Sequence, residues 1–225
     1  MSAVVLGLLL TAPDIDAAPS VETVLARMDS AAAKWKGMRA RVQWTRYRSL
    51  VDEETVESGG MVVRRAKSGD FEMLLGFTEP NIYYFSVRGT KVEIYKPRIK
   101  EVQEYDLGKS RDQLENALLI GFGVSGSFLG RHYDVAVMGE EEVDGHPTVE
   151  LALEPRNPEG RLNNRRLEMW ISTQHWQPVQ QKVYERNPED FRIFTYSDVE
   201  INPAFRSGEF RLRLERGTQR TRPQR

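Results

Sequence analysis

Few side chains in this sequence have the types and spacing that catalysis or metal binding requires. The three histidines, His132, His146 and His175, lie far apart, and none has a second histidine or a cysteine at a metal-ligand spacing. Residues 140–142 are consecutive glutamates ahead of a turn, which is typical of a solvated strand end. No serine stands in a Gly-x-Ser-x-Gly context, and the absence of cysteine excludes a cysteine nucleophile, a disulfide scaffold and a thiolate metal site. The sequence therefore predicts no catalytic residue, no metal site and no cofactor.

One glycine-rich segment, residues 121–126, matches the Gly-x-Gly-x-x-Gly pattern of dinucleotide-binding proteins. That pattern binds a pyrophosphate only where it follows a strand and opens a helix inside a parallel unit. Here a helical pattern precedes the glycines and the neighbouring strands are antiparallel. We therefore interpret the segment as a mobile flap, in which glycine supplies backbone freedom.

The elements that must position any functional side chain are mostly strands. Phe71, Met73, Leu75 and Phe77 fall two residues apart, which is the period of a strand with one buried face. Short turns rich in glycine, proline and asparagine separate this run from similar runs on both sides. Because a parallel crossover needs about a dozen residues or more, such short links predict antiparallel neighbours.

Two segments have helical spacing instead. Ser20 can cap a helix over residues 20–36, whose apolar side chains fall three or four apart and which ends at Gly37. Residues 110–121 form the second segment, and a short helical turn follows the glycine-rich stretch. A sheet of about eleven strands tends to curl toward a barrel, and the helices would then cover its open side. The predicted fold class is therefore mainly β with α.

Charge and composition divide the chain into three parts. The 225 residues carry a formal net charge of −1, which gives no overall attraction to nucleic acid. Residues 1–18 contain a short apolar stretch that ends in small residues, so they are predicted to be a signal peptide. Residues 19–217 are predicted to form a single domain, and the basic residues 218–225 are predicted to be a disordered tail.

The order of these elements resembles the family of periplasmic lipoprotein carriers similar to LolA. The resemblance covers residues 20–215 and rests on the amphipathic helix, the entry into the first strand and several later stretches. Those stretches are Met38–Val42, Gly60–Arg65, Phe77–Pro80, Gly89–Pro97, Leu153–Pro155 and Tyr196–Phe210. The resemblance implies a divergent member with an incomplete antiparallel β-barrel of about eleven strands and a helical lid over a hydrophobic cavity.

Together with the strand alternation, the resemblance predicts which side chains line that cavity. They are Val42, Trp44, Met61, Val63, Met73, Leu75, Ile94, Leu118, Phe122, Phe128, Met169 and Ile171. Arg65 matches the family arginine that latches the lid through hydrogen bonds to backbone carbonyls. Ala66 stands where the family has proline, so Arg64 is the alternative latch.

By this resemblance the protein would be a periplasmic carrier in a Gram-negative-type envelope. It would bind lipoprotein acyl chains in the cavity and shuttle them from the inner to the outer membrane. Its partners would be an inner-membrane lipoprotein-releasing transporter and an outer-membrane receptor, with no nucleic acid, and it would act as a monomer. Two alternatives stay open: a periplasmic lipid- or lipoprotein-sensing regulator, and a hydrolase whose catalytic residues are distant in sequence.

Overall fold

The computed structural model describes residues 19–66, 70–106, 108, 122–157 and 166–223. The described helices are α1 (Val21–Lys34) and α2 (Gly126–His132). The described strands are β1 (Gly37–Arg48), β2 (Glu53–Arg65), β3 (Phe71–Glu79), β4 (Tyr83–Arg88), β5 (Lys91–Lys96), β6 (Glu101–Asp106), β7 (Tyr133–Val143), β8 (His146–Pro155), β9 (Arg166–Ser172), β10 (Pro178–Tyr184), β11 (Phe191–Ile201) and β12 (Gln219–Thr221). The predicted signal peptide and the predicted helix over residues 110–121 lie outside the described residues. Neither α1 nor α2 combines the length and apolar character that crossing a bilayer requires.

The twelve described strands form one sheet in the order β12-β6-β5-β4-β3-β2-β1-β11-β10-β9-β8-β7. Neighbouring strands are antiparallel, except that β12 is parallel to β6. Tight turns permit this meander, for example at Asp144 and Gly145 between β7 and β8, where both residues have positive φ. The two end strands do not pair with each other, so the sheet is not closed. The predicted incomplete antiparallel barrel with a helical lid is confirmed.

Helix α1 begins and ends at side-chain caps. The Ser20 hydroxyl accepts a hydrogen bond from the Thr23 backbone N–H at 3.2 Å, which satisfies a donor of the first turn. At the other end, the Asn202 amide oxygen accepts from the Lys36 N–H at 2.6 Å and its amide nitrogen donates to the Lys34 carbonyl at 3.0 Å. The helix is thereby tied to the end of β11.

One face of the sheet, called the inner face here, carries the large apolar side chains and both helices. Met38 on β1 pairs with Val63 on β2, which pairs with Met73 on β3, which pairs with Val87 on β4. Trp44 lies on the same face of β1, because it is an even number of residues from Met38. From Trp44 the paired row continues through Phe194, Gln181, Met169 and Leu151 on β11 to β8. Cross-strand register therefore joins β4 to β8 in one surface.

The segment 203–218, called the C-terminal segment here, runs over the opposite, outer face. Phe210 is buried there, and the Arg64 guanidinium of β2 lies 4.3 Å from the centroid of its ring. Further along, the Glu215 backbone N–H donates to the hydroxyl of the buried Tyr95 on β5 at 3.2 Å. Contacts with side chains of the sheet hold this segment, and its residues 210–214 form no strand.

The expected disorder of the basic tail is wrong for its described part, because residues 219–221 form β12 on the edge of β6. Arg220 makes an ion pair with Glu93 at 2.6 Å and a second one with Glu104. The basic composition of this segment predicts a solvated tail. In the structure, ion pairs with glutamates on β5 and β6 fix it to the edge of the sheet. The last two residues of the chain lie outside the described residues.

Candidate functional site: an apolar inner face beneath two helices

The predicted cavity residues fall mainly into two apolar clusters on the inner face. The first cluster contains Val42, Met61, Val63, Met73 and Phe122 as buried residues, with Leu75 packed against them. The second cluster contains Met169 and Ile171 as buried residues, with Phe128 packed against them. The alternation along each strand thus assigns the strand residues among them to a shared face. Phe122 and Phe128 come from the residues before α2 and from α2 itself.

Two further residues of the predicted cavity lie on the same face, outside the two clusters. The Trp44 ring stacks on the Phe194 ring with centroids 5.8 Å apart, and Ile94 on β5 pairs with Phe85 on β4. Both Trp44 and Ile94 are half-buried. Leu118 lies outside the described residues. Binding of an acyl chain to this face stays a prediction.

Helices α1 and α2 lie together over the second cluster. Val24 and Met28 on α1 and Leu129 on α2 are buried in it. Asp29 joins the two helices, because one of its carboxylate oxygens accepts the Ser127 backbone N–H at 3.0 Å and the other accepts the Ser127 hydroxyl at 2.6 Å. The helices therefore form one unit of the lid.

The close approach of these helices depends on Gly126. A Cβ atom there would lie 2.1 Å from the Leu25 carbonyl oxygen, whereas at Gly130 it would lie 3.5 Å from a Leu25 methyl group. We expect Gly126→Ala to lower the free energy of unfolding by about 1–3 kcal/mol, because the added methyl forces the helices apart. Gly130→Ala is the control and should leave stability unchanged or raise it by up to about 1 kcal/mol, since alanine favours a helix more than glycine does. Urea unfolding measures both variants, and equal losses would contradict close packing at Gly126.

The residues just before α2 connect the lid to the sheet by close contacts. Gly123 has a φ of +66°, its N–H donates to the Gln177 side-chain oxygen at 2.8 Å, and a Cβ atom on it would lie 2.5 Å from the Trp35 ring. The Phe122 ring meets the Tyr196 ring edge-on at 4.5 Å, and burial raises the pKa of Tyr196. Gly123 therefore supports close packing against Trp35, and the mobility of the glycine-rich segment stays a prediction. Trp35, Gln177 and Tyr196 are anchors that the strand and helix patterns do not single out.

The two arginines predicted as latches lie on opposite faces. Arg65 pairs with Phe71 of the first cluster and so belongs to the inner face, where it is exposed. Among the described residues, no hydrogen bond joins its guanidinium to the residues that precede or form α2. Arg64 lies on the outer face in an ion pair with Glu72 at 2.6 Å, on the side of the sheet opposite to the helices.

Two histidines that are distant in sequence meet beside the turn between β9 and β10. The rings of His146 and His175 have centroids 6.2 Å apart, and His175 Nδ1 accepts from the Gln177 N–H at 3.2 Å. Within the described structure, His146 Nδ1 and His175 Nε2 are buried without a hydrogen-bond partner. Burial, with a smaller contribution from His146, lowers the pKa of His175 from 6.5 to about 4. Spacing along the chain gives no sign of this pair, because β8 and the β9–β10 hairpin bring it together.

Several solved structures are similar to this chain. The MucA/MucB complex of Pseudomonas aeruginosa matches with a TM-score of 0.53 and 16% identity, over 85% of this chain and 60% of that chain. An uncharacterized conserved protein of Thermus thermophilus matches with a TM-score of 0.57 and 10% identity, over 90% of this chain and 98% of that chain. A LolA superfamily protein of Nitrosomonas europaea matches with a TM-score of 0.40 and 11% identity, over 86% of this chain and 98% of that chain.

The likenesses to the MucA/MucB and Thermus thermophilus structures concern the fold alone. This chain covers 60% of the length of the MucB chain. The open antiparallel sheet with helices over one face, which the sequence predicts, is confirmed by the structure itself. No curated protein matches the sequence. The model of a family described as "uncharacterized protein" matches residues 84–213, from β4 into the C-terminal segment. Because that match extends over more than half of the chain, the protein belongs to this family.

Proposed function

We propose that the protein is a periplasmic carrier that binds lipoprotein acyl chains on its inner face and moves them from the inner to the outer membrane. The extent of the apolar inner face carries this proposal, since its two clusters reach from β5 to β7. Met61, Met73 and Met169 belong to them, and methionine adapts well to irregular apolar partners. Part of the face lies beneath helices and not beneath a second sheet, so it can be uncovered without breaking strand pairs.

Competition between ligand and lid would keep the affinity in a range that allows release. An acyl chain gains about 0.8 kcal/mol for each CH₂ group that it buries, so several long chains bound in full would be held too tightly for transfer. Val24, Met28 and Leu129 already occupy the inner face when the helices lie on it. A ligand that displaces them gains only the difference between the two states.

Arg65 is the latch in this proposal. It is the last residue of β2, lies on the inner face and is exposed. A guanidinium carries five donors in a fixed fork and can hold several lid carbonyls at once. The partners would be an inner-membrane lipoprotein-releasing transporter and an outer-membrane receptor, as the family resemblance implies.

Adjacent leucines on β3 offer a matched test of the binding face. Leu75 packs against the first cluster, Leu74 lies on the outer face, and both are half-buried. We expect Leu75→Gln to weaken the binding of a fluorescent long-chain fatty acid by about tenfold or more, because the acyl chain would meet an amide without a hydrogen-bond partner. Leu74→Gln should change the Kd by less than about twofold, because residue 74 lies on the face opposite to the proposed acyl site.

Titration of the ligand fluorescence measures all three proteins, and their urea midpoints show whether each variant is folded. The same Kd for wild type and both variants would show that the fatty acid does not bind on the inner face. A larger loss with Leu74→Gln would move the binding site to the outer face.

A second function is favoured by one comparison. MucB, which shares this fold, is solved in complex with MucA, with TM-scores of 0.53 and 0.51 for the two complexes. By analogy, this protein would bind lipid or lipoprotein and regulate an envelope partner. Mixing protein loaded with a fluorescent triacylated lipopeptide with acceptor vesicles separates the two functions. A carrier hands the lipopeptide to the vesicles, whereas a regulator retains it.

A further inference from the structure

A cleft of about 500 Å³ lies between the C-terminal segment and the outer face of the sheet. Among the described residues, it is lined by the four guanidinium groups of Arg64, Arg88, Arg206 and Arg211 and by a single carboxylate, that of Glu72. The formal charge of this lining is therefore positive. The cleft is separate from the apolar clusters, because Arg64 and Glu72 pair with each other on the outer face.

The sheet side of the cleft is fixed in place. Arg64 makes an ion pair with Glu72 at 2.6 Å, and its guanidinium lies 4.3 Å from the centroid of the Phe210 ring. Arg88 makes an ion pair with the buried Glu93 at 3.3 Å. These contacts leave only part of each guanidinium fork occupied, since each group carries five N–H donors.

The other side of the cleft consists of arginines without a contacting counter-ion. Arg206 and Arg211 make no ion pair within the part of the chain that the structure describes, and both are exposed. The Glu209 carboxylate lies near enough for its charge to interact with that of Arg206, without an ion-pair contact between them. Glu209 stands between them in sequence, but its oxygens bind other donors. One oxygen accepts from the Arg39 guanidinium at 2.8 Å, and the other accepts from the backbone N–H of Arg206 at 2.7 Å.

We propose that this cleft binds a phosphate group. Guanidinium forks match phosphate oxygens in pairs, and such charge-assisted hydrogen bonds are roughly twice as strong as neutral ones. Arg206 and Arg211 would bind the phosphate from one side, and Arg64 and Arg88 on the sheet would bind it from the other side. A lipid headgroup and a free phosphate ester share this chemistry, and the cleft opens on the face opposite to the proposed acyl site. The inference therefore stands independently of the carrier function.

The test compares two double variants of the full chain. Arg206→Gln/Arg211→Gln removes the unpaired arginines of the cleft. Arg213→Gln/Arg216→Gln removes the same charge from the same segment but outside the cleft lining, since both are exposed and do not line it. Calorimetric titration with inorganic phosphate measures a free ligand. Co-flotation with phosphatidylglycerol vesicles, with phosphatidylcholine vesicles as reference, measures a headgroup.

We expect the cleft double variant to bind phosphate, phosphatidylglycerol vesicles or both about tenfold more weakly than wild type, with the control pair within about twofold. Loss in the phosphate titration alone identifies a free ester as the ligand, and loss in flotation alone identifies a headgroup. Absence of binding by wild type in both assays overturns the proposal. Equal weakening of binding by the two double variants also overturns the proposal, because the loss would then follow from the lower net charge alone.

Discussion

Replacement of Trp35 by alanine is expected to lower the free energy of unfolding by about 3–5 kcal/mol, which is the usual cost of truncating a buried tryptophan. Trp35 is 5% exposed and belongs to the first inner-face cluster. Its ring also forms the surface on which Gly123 rests. Loss of that surface should release the residues before α2 together with the helix. Urea unfolding measures the stability change, and amide hydrogen exchange measures the faster opening of residues 122–132.

Trp44→Ala provides the matched control for this prediction. Trp44 is a half-buried tryptophan on the same face, where its ring contacts the rings of Phe194 and Phe77. Its loss should cost less stability and leave exchange of residues 122–132 unchanged. Similar exchange in the two variants would show that Trp35 has no specific connection to the lid.

The second large effect is a loss of stability at acid pH through His175. Burial and the neighbouring His146 lower its pKa from 6.5 to about 4. Between these values the unfolded chain binds a proton that the folded protein excludes, so stability falls as the pH falls. Each pH unit in that window contributes about 1.4 kcal/mol, and we expect a loss of roughly 2–3 kcal/mol between pH 6.5 and pH 4.5. Urea unfolding at a series of pH values measures this loss.

His175→Gln should flatten the profile in this window, because glutamine does not titrate and its oxygen can still accept from the Gln177 N–H. Burial raises the pKa of Glu150, which favours folding as the pH falls and opposes the histidine. Glu150 is present in both proteins, so the difference between the two profiles isolates His175. Parallel profiles for wild type and variant would contradict the account.

The parts of the fold that were predictable are those with a local period. On β3 the residues from Phe71 to Phe77 alternate, and the structure buries Phe71, Met73 and Phe77 on the inner face. On α1 the apolar spacing and Ser20 mark a helix whose cap is observed. Alternation also separates neighbours such as Val63 and Arg64, which lie on opposite faces of β2. These inferences need only the geometry of one strand or one helix.

The parts that were not predictable depend on contacts between distant segments. Three residues of β12 are too few to show a period, and their pairing depends on the partner charges of Glu93 and Glu104. Gly123 looks like a source of mobility until the Trp35 ring is known to lie against it. His146 and His175 become neighbours only through the register of two hairpins. The outer-face cleft likewise needs the path of the C-terminal segment across the sheet.

The pairing of β12 with β6 also constrains the order in which the sheet can be completed. The Thr221 hydroxyl donates to the Glu101 carboxylate across 120 residues of chain. As the chain is synthesised, the strands from β1 to β6 can pair while the later strands have yet to emerge. The outer edge of β6 then stays open until Gln219–Thr221 are made. Unpaired strand edges recruit other chains, so this interval between β6 and β12 is when a holding factor would protect the nascent protein most.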